Sequence, residues 1–185
     1  ATYIQSLNLP PKSNIALLGR NSAHWIMADL AIWMSGHITV PLYPTLNGET
    51  AEYIFEHSEA KLLIVGKMDG KADGWKEIKG VIPKDLPIIA APLSPPELAS
   101  QPQWDALVAK TEPLKNPTMP QLDDIATIVY TSGSTGKPKG VLHSFRTMIV
   151  ITSGMEEIWG FTSNERMLSY LPLAHVAERA AVETM

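Results

Sequence analysis

The chain has 185 residues, 45% of them hydrophobic and 18% charged, with a formal net charge of −4 and no cysteine. That length suits one domain or two small lobes around a real core, and the composition excludes a disordered chain. A weakly acidic balance gives no electrostatic footprint for nucleic acid, and the lack of cysteine excludes disulfides and Cys-based zinc or iron–sulfur sites.

The opening, ATYIQSLNLPPKSN, has no basic region followed by an apolar one, so no secretory signal is expected. No apolar run reaches membrane-spanning length. Together with the missing cysteines, this predicts a cytoplasmic protein, membrane-associated at most.

The first predicted strand is NIALLG (14–19), a continuous apolar run of the kind buried on both faces. A helix follows over 21–36, capped by Asn21 or Ser22 and ended by Gly36. Its Ala23, Ile26, Met27, Leu30 and Met34 recur at helical spacing, and its Trp25 and Trp33 read as core. ITVPLYP (38–44) is a second strand, with Pro41 weakening it or placing it at an edge. A helix is expected over 47–60, with Ala51, Ile54 and Phe55 on one face, and a third strand over 61–66. Strand and helix alternate, which predicts right-handed crossovers and an α/β fold: a mainly parallel sheet layered with helices.

The middle is proline-rich: nine of the fifteen prolines lie between Pro83 and Pro120. Residues 87–91 read as a strand and 94–111 as a short helical stretch, anchored by Trp104, Leu107 and Val108. The composition shift over 112–122 predicts a lobe boundary, with a first lobe over 1–111 and a second, incomplete lobe over 112–185. DDIATIVY (123–130) then reads as a strand, 140–144 as another, 145–158 as a helix, 160–165 as a turn and 166–172 as a strand. The last helix, from 174, reaches residue 185 without a stop signal, which predicts a piece of a longer protein.

One stretch carries chemistry: 130-YTSGSTGKPKG-140. Residues 132–136 are small or lack a side chain, so the backbone can curl and present successive N–H groups to an anion. Thr131, Ser132, Ser134 and Thr135 add hydroxyls, and Lys137 and Lys139 add positive charge. So many donors in so small a space suit a polyphosphate. A Walker A loop does not fit, because Gly133 and Gly136 are too close together and Pro138 follows Lys137. Ser134 and Lys137 match a Ser-x-x-Lys nucleophile literally, but its Ser-Asp-Asn and Lys-Thr-Gly partners are absent from the chain. A flexible surface turn is the remaining rival. The other histidines, at 24, 37, 57 and 143, show no metal-ligand spacing.

The string YTSGSTGKPKGV resembles the AMP-binding signature of the adenylate-forming superfamily. Two further stretches carry the resemblance: 33-WMSGHITVPLYPT-45, near the front of the family's large domain, and 170-YLPLAHVAER-179, similar to long-chain fatty acyl-CoA synthetases. The resemblance spans nearly the whole chain. It implies the front portion of the large N-terminal domain of an acyl-CoA synthetase-like fold.

It also implies a function. An enzyme of this kind joins a fatty acid to ATP, releases pyrophosphate, and passes the acyl-adenylate to coenzyme A. By resemblance, Thr131, Ser132, Gly133, Ser134, Thr135 and Gly136 contact ATP phosphates, Thr131 helps hold Mg²⁺, and Lys139 ranks above Lys137 as the phosphate lysine. His175 matches a histidine near the acyl carboxylate; the alternative is a helix-entry histidine satisfied by backbone. Arg179 stands where some relatives carry an aromatic gate to the fatty-acid tunnel, while Glu178 and Arg179 read equally as a solvated first-turn pair. The family's Mg²⁺ glutamate, ribose aspartate and C-terminal lysine have no counterpart in the chain, so no ligase activity is expected from these residues alone. Another acyl or aryl acid substrate, or a non-catalytic nucleotide-binding module, stays open. A fatty-acid substrate would bring peripheral membrane contact.

Overall fold

The computed structural model describes residues 1–132, 136–160, 166 and 168–183. In chain order it has α1 (Thr2–Ser6), β1 (Asn14–Leu18), α2 (Ala23–Met34), β2 (Ile38–Leu42), α3 (Gly48–Ser58), β3 (Leu62–Val65), α4 (Trp75–Val81) and β4 (Ile88–Ala90). A 3₁₀ turn at Pro96–Leu98 precedes α5 (Trp104–Lys110), β5 (Ile125–Thr131), β6 (Lys139–Ser144), α6 (Phe145–Trp159) and α7 (Val176–Glu183). The strands form one six-stranded sheet in the order β4-β3-β1-β2-β5-β6. Every pairing is parallel except β5 with β6, which is antiparallel. The α/β class, the parallel sheet and its helical cover agree with the sequence.

The central strands are buried on both faces. Ala16, Leu18, Val40, Leu42, Leu63 and Val65 pack with α3 and α4 through Ala51, Ile54, Phe55, Trp75 and Ile78. On the opposite face Ile15, Leu17, Leu62 and Ile64 meet Trp25, Ala28 and Ile32 of α2. Continuous apolar runs fit this arrangement, because each face of the strand has its own helix layer.

Three readings need correction, and the choice of cap for α2 is decided. Pro41 does not mark an edge: β2 lies between β1 and β5, with Pro41 opposite Leu17. Its missing N–H is tolerated because the ladder to β5 is a single pair, Thr39 with Thr127. The face of α2 that meets the sheet is Trp25, Ala28, Asp29 and Ile32, while Met27, Leu30 and Met34 are about 40% exposed. The cap of α2 is Ser22, whose hydroxyl accepts from the Trp25 N–H, and Asn21 is used elsewhere. The strand expected over 166–172 does not form among its described residues; Leu168 and Tyr170 are exposed, and side-chain bonds from Asn21 hold this segment in place of a ladder. The turn expected at 160–165 lies, from residue 161 on, outside the described residues.

Packing around α4 gives a contrast in two glycines. A Cβ at Gly74 would stand 1.9 Å from the Leu46 carbonyl oxygen, whereas a Cβ at Gly80 meets nothing within 4 Å. Gly74→Ala is therefore expected to destabilise by about 1–3 kcal/mol through overpacking. Gly80→Ala, inside the helix, should gain roughly 0.5–1 kcal/mol. Urea unfolding midpoints of the two variants, moving in opposite directions, check this.

Candidate functional site

The parallel strands point their C-terminal ends to one edge of the sheet, where ligands bind in open α/β folds. The loop over 132–138 begins there, at the end of β5, and returns as β6. The two strands pair in register, with Ile128 opposite Leu142, Tyr130 opposite Gly140 and Thr131 opposite Lys139. Directly opposite residues on an antiparallel pair point to the same face, with Cβ atoms about 4.5–5.5 Å apart. The hairpin thus sets Thr131 and Lys139 opposite one another on one face, both exposed, at the mouth of the loop.

Two glycines make the hairpin possible. Gly136 has φ +87°, in the region that favours glycine, and open space around its Cα. A Cβ at Gly140 would lie 3.0 Å from Ile128 Cγ2 and 3.4 Å from Tyr130 Cζ, so glycine lets the Tyr130 ring lie across β6. Gly133, Ser134 and Thr135, expected to contact phosphates, lie outside the described residues. Ser132, beside Thr131, is exposed.

The base of the loop is tied to α3. Tyr130 is buried, and its hydroxyl lies 2.7 Å from His57 Nδ1. His57 stacks on Tyr53, and the Lys137 Nζ sits over the Tyr53 ring, 5.6 Å from its centre, at cation–π distance. Lys137 therefore reaches toward α3, while Lys139 stands on β6 opposite Thr131. His57 and Tyr53 were invisible to sequence reasoning, because nothing in a lone histidine on a helix signals its partner 73 residues away.

Burial pushes the Tyr130 phenol up to about 12 from its ordinary 10.0. A phenol that keeps its proton can donate to Nδ1. The sign follows: the unfolded phenol ionises first, so stability from neutral Tyr130 is full below about pH 10 and is lost as pH rises toward 12. Absorbance titration at alkaline pH should show a late phenolate step that Tyr130→Phe removes; an unchanged titration would contradict the buried phenol.

His175 sits on a separate element, in the turn before α7. The exposed ring accepts at Nδ1 from the Ala177 N–H at 3.2 Å, which leaves its proton on Nε2. The segment before it is pinned to the same edge of the sheet. Asn21, three residues past β1, accepts from the Leu173 N–H at 2.8 Å and donates to the Leu171 carbonyl at 2.7 Å.

Glu178 and Arg179 are not a solvated pair: they are 5% and 0% exposed. The Arg179 guanidinium pairs with the Asp29 carboxylate, donates to Thr127 Oγ1 at 2.8 Å, and lies over the rings of Trp25 and Trp33. Among the described residues no group of three or more histidines and acidic residues could hold a metal.

The sequence profile of AMP-binding enzymes matches residues 1–185. The chain belongs to the AMP-binding enzyme family.

Relatives of this AMP-binding chain include fatty acyl-CoA synthetase A of Dictyostelium discoideum, 32% identical over 188 residues, covering 97% of this chain and 28% of that protein. The peroxisomal long chain acyl-CoA synthetase 6 of Arabidopsis thaliana is 31% identical over 182 residues, covering 93% and 26%. A mitochondrial malonate–CoA ligase of Mus musculus is 30% identical over 167 residues, covering 89% and 26%. The chain thus spans a little over a quarter of the length of these relatives.

Among solved structures, O-succinylbenzoate coenzyme A synthetase from Bacillus subtilis, in complex with AMP, superposes with a TM-score of 0.73 at 24% identity, over 97% of this chain and 33% of that one. ATP-bound MatB from Rhodopseudomonas palustris superposes with 0.77 at 18% identity, over 98% and 34%. These likenesses establish the fold, that of the N-terminal domain of adenylate-forming enzymes.

Proposed function

We propose that the protein carrying this chain is an ATP-dependent acid–CoA ligase, and that its acid is a long-chain fatty acid. The observation that carries the reading is the β5–β6 hairpin, which sets Thr131 opposite Lys139 at the mouth of a glycine-containing loop. A carboxylate is a poor electrophile, and activating it as an adenylate makes pyrophosphate the leaving group. Donors and cations fixed where that charge develops lower the barrier.

In this reading Ser132, Gly133, Ser134, Thr135 and Gly136 line the phosphates with backbone N–H groups and hydroxyls. Lys139 holds a phosphate from the neighbouring strand, with Lys137 nearer α3. The Thr131 hydroxyl would ligate Mg²⁺, which when bound neutralises phosphate charge. His175, with its proton on Nε2, would contact the acyl carboxylate or the adenylate. Coenzyme A is the acceptor in a second half-reaction, for which residues beyond this chain are needed. We also propose that 112–185 opens a lobe which further chain completes.

The fatty-acid assignment is supported by two acyl-CoA synthetase relatives and by the 170–179 stretch. A second reading, a short dicarboxylic acid, is favoured by the malonate–CoA ligase relative. No helix among the described residues is long and apolar enough to cross a membrane; a fatty-acid substrate would bring peripheral membrane contact.

The test is acyl-CoA and AMP formation by the full-length protein, by mass spectrometry, with one acid at a time from octanoate to stearate, malonate and benzoate. Turnover greatest with the long acids supports the proposal, and greatest with malonate supports the second reading. ATP binding without product from any acid would point to a nucleotide-binding module and sink both.

A further inference from the structure

We infer that the buried Asp29–Arg179 pair is a positioning device for His175, setting the acid-binding end of the site from inside the α2 layer of the core. The inference rests on the reading of His175 given above. Both side chains are fully buried, and they join elements far apart in sequence: Asp29 lies mid-way along α2 and Arg179 in the first turn of α7. The carboxylate also accepts from the Thr39 hydroxyl of β2, and the guanidinium donates to Thr127 of β5. Thr127 Oγ1 in turn donates to the Thr39 carbonyl at 2.8 Å. Four elements therefore meet in one closed polar network inside an apolar layer, with Trp25 and Trp33 at 5.5 and 5.3 Å from the guanidinium.

Such a network fixes geometry more than it adds stability, since only one arrangement satisfies every donor and acceptor. What it fixes is α7. The Arg179 N–H donates to the His175 carbonyl at 3.2 Å, so the residue held by Asp29 closes the turn that begins with His175. Asn21 holds the other side of the same segment through Leu171 and Leu173. His175 is thus suspended between two anchors, one polar and exposed, one ionic and buried. Arg179 acts through His175 and need not touch the acid.

The experiment uses the full-length protein and four variants: Arg179→Met, Asp29→Asn, the double variant, and His175→Ala. Each single variant of the pair is expected to raise the KM for the acid and lower kcat/KM by roughly 10²-fold, the cost of about 1 Å of misplacement, with the KM for ATP unchanged. The double variant leaves no buried charge without a partner. It should regain the Tm of the wild type while keeping the raised KM for the acid. A purely structural pair would regain both, and that result overturns the inference. Single variants that keep the wild-type KM for the acid overturn it as well. His175→Ala separates the two levels. If it leaves acid turnover unchanged, the reading of His175 falls and takes this inference with it. If it impairs the acid step while the Asp29 and Arg179 variants do not, this inference alone falls.

Discussion

Lys139→Ala in the full-length protein is expected to cut acid-dependent exchange of pyrophosphate into ATP by roughly 10²–10³-fold, the usual cost of removing one donor aimed at developing charge. The hairpin register explains the size of the effect. Lys139 is opposite Thr131, on a strand whose direction is fixed by the pairs from Ile128 to Thr131. Alanine would remove the cation without disturbing that ladder, because the side chain is exposed. Lys139→Arg should recover part of the rate, since a guanidinium still binds phosphate, though from a longer and more branched head. Lys137→Ala should cost less, because its ammonium lies over the Tyr53 ring of α3. Exchange measured for all three, at saturating acid, checks the order; equal losses at 137 and 139 would contradict it.

Asp29→Ala is expected to destabilise the fold by about 3–5 kcal/mol, because it removes the carboxylate that balances the charge of a buried guanidinium. Arg179 is 0% exposed, and besides the Asp29 carboxylate its guanidinium meets the Thr127 hydroxyl and the rings of Trp25 and Trp33. A double variant with apolar residues at both positions, Asp29→Leu with Arg179→Met, should recover most of the loss, since a buried pair contributes little net stability over well-packed apolar groups. Urea unfolding of the single and double variants gives both numbers. A single variant within 1 kcal/mol or so of wild type would show that water reaches the pair.

The same pair shows where the sequence stopped being legible. The run over 21–36 gave the helix and its end correctly, but the spacing of Met27, Leu30 and Met34 suggested the wrong face. The face that meets the sheet includes Asp29, and an aspartate cannot be recognised as core until its arginine, 150 residues on, is known. Pro41 misled for a related reason: proline weakens a strand locally, but the parallel neighbours that tolerate it are set by topology. Continuous apolar runs at 14–18 and 62–65 were readable because burial on both faces leaves an unbroken signature. The loop expected to hold phosphates was legible as a motif because its signature is local, from Tyr130 to Gly140. The tie from Tyr130 to His57 was not, because it depends on how α3 packs against β5.

The most direct test of the central claim, that the hairpin loop holds the phosphates of ATP, is a crystal structure of the full-length protein with ATP and magnesium. The account predicts the β- and γ-phosphates between Thr131 and Lys139, against the backbone N–H groups of 132–136, with the Thr131 hydroxyl at the metal. A triphosphate bound elsewhere, with the loop facing solvent, would contradict it.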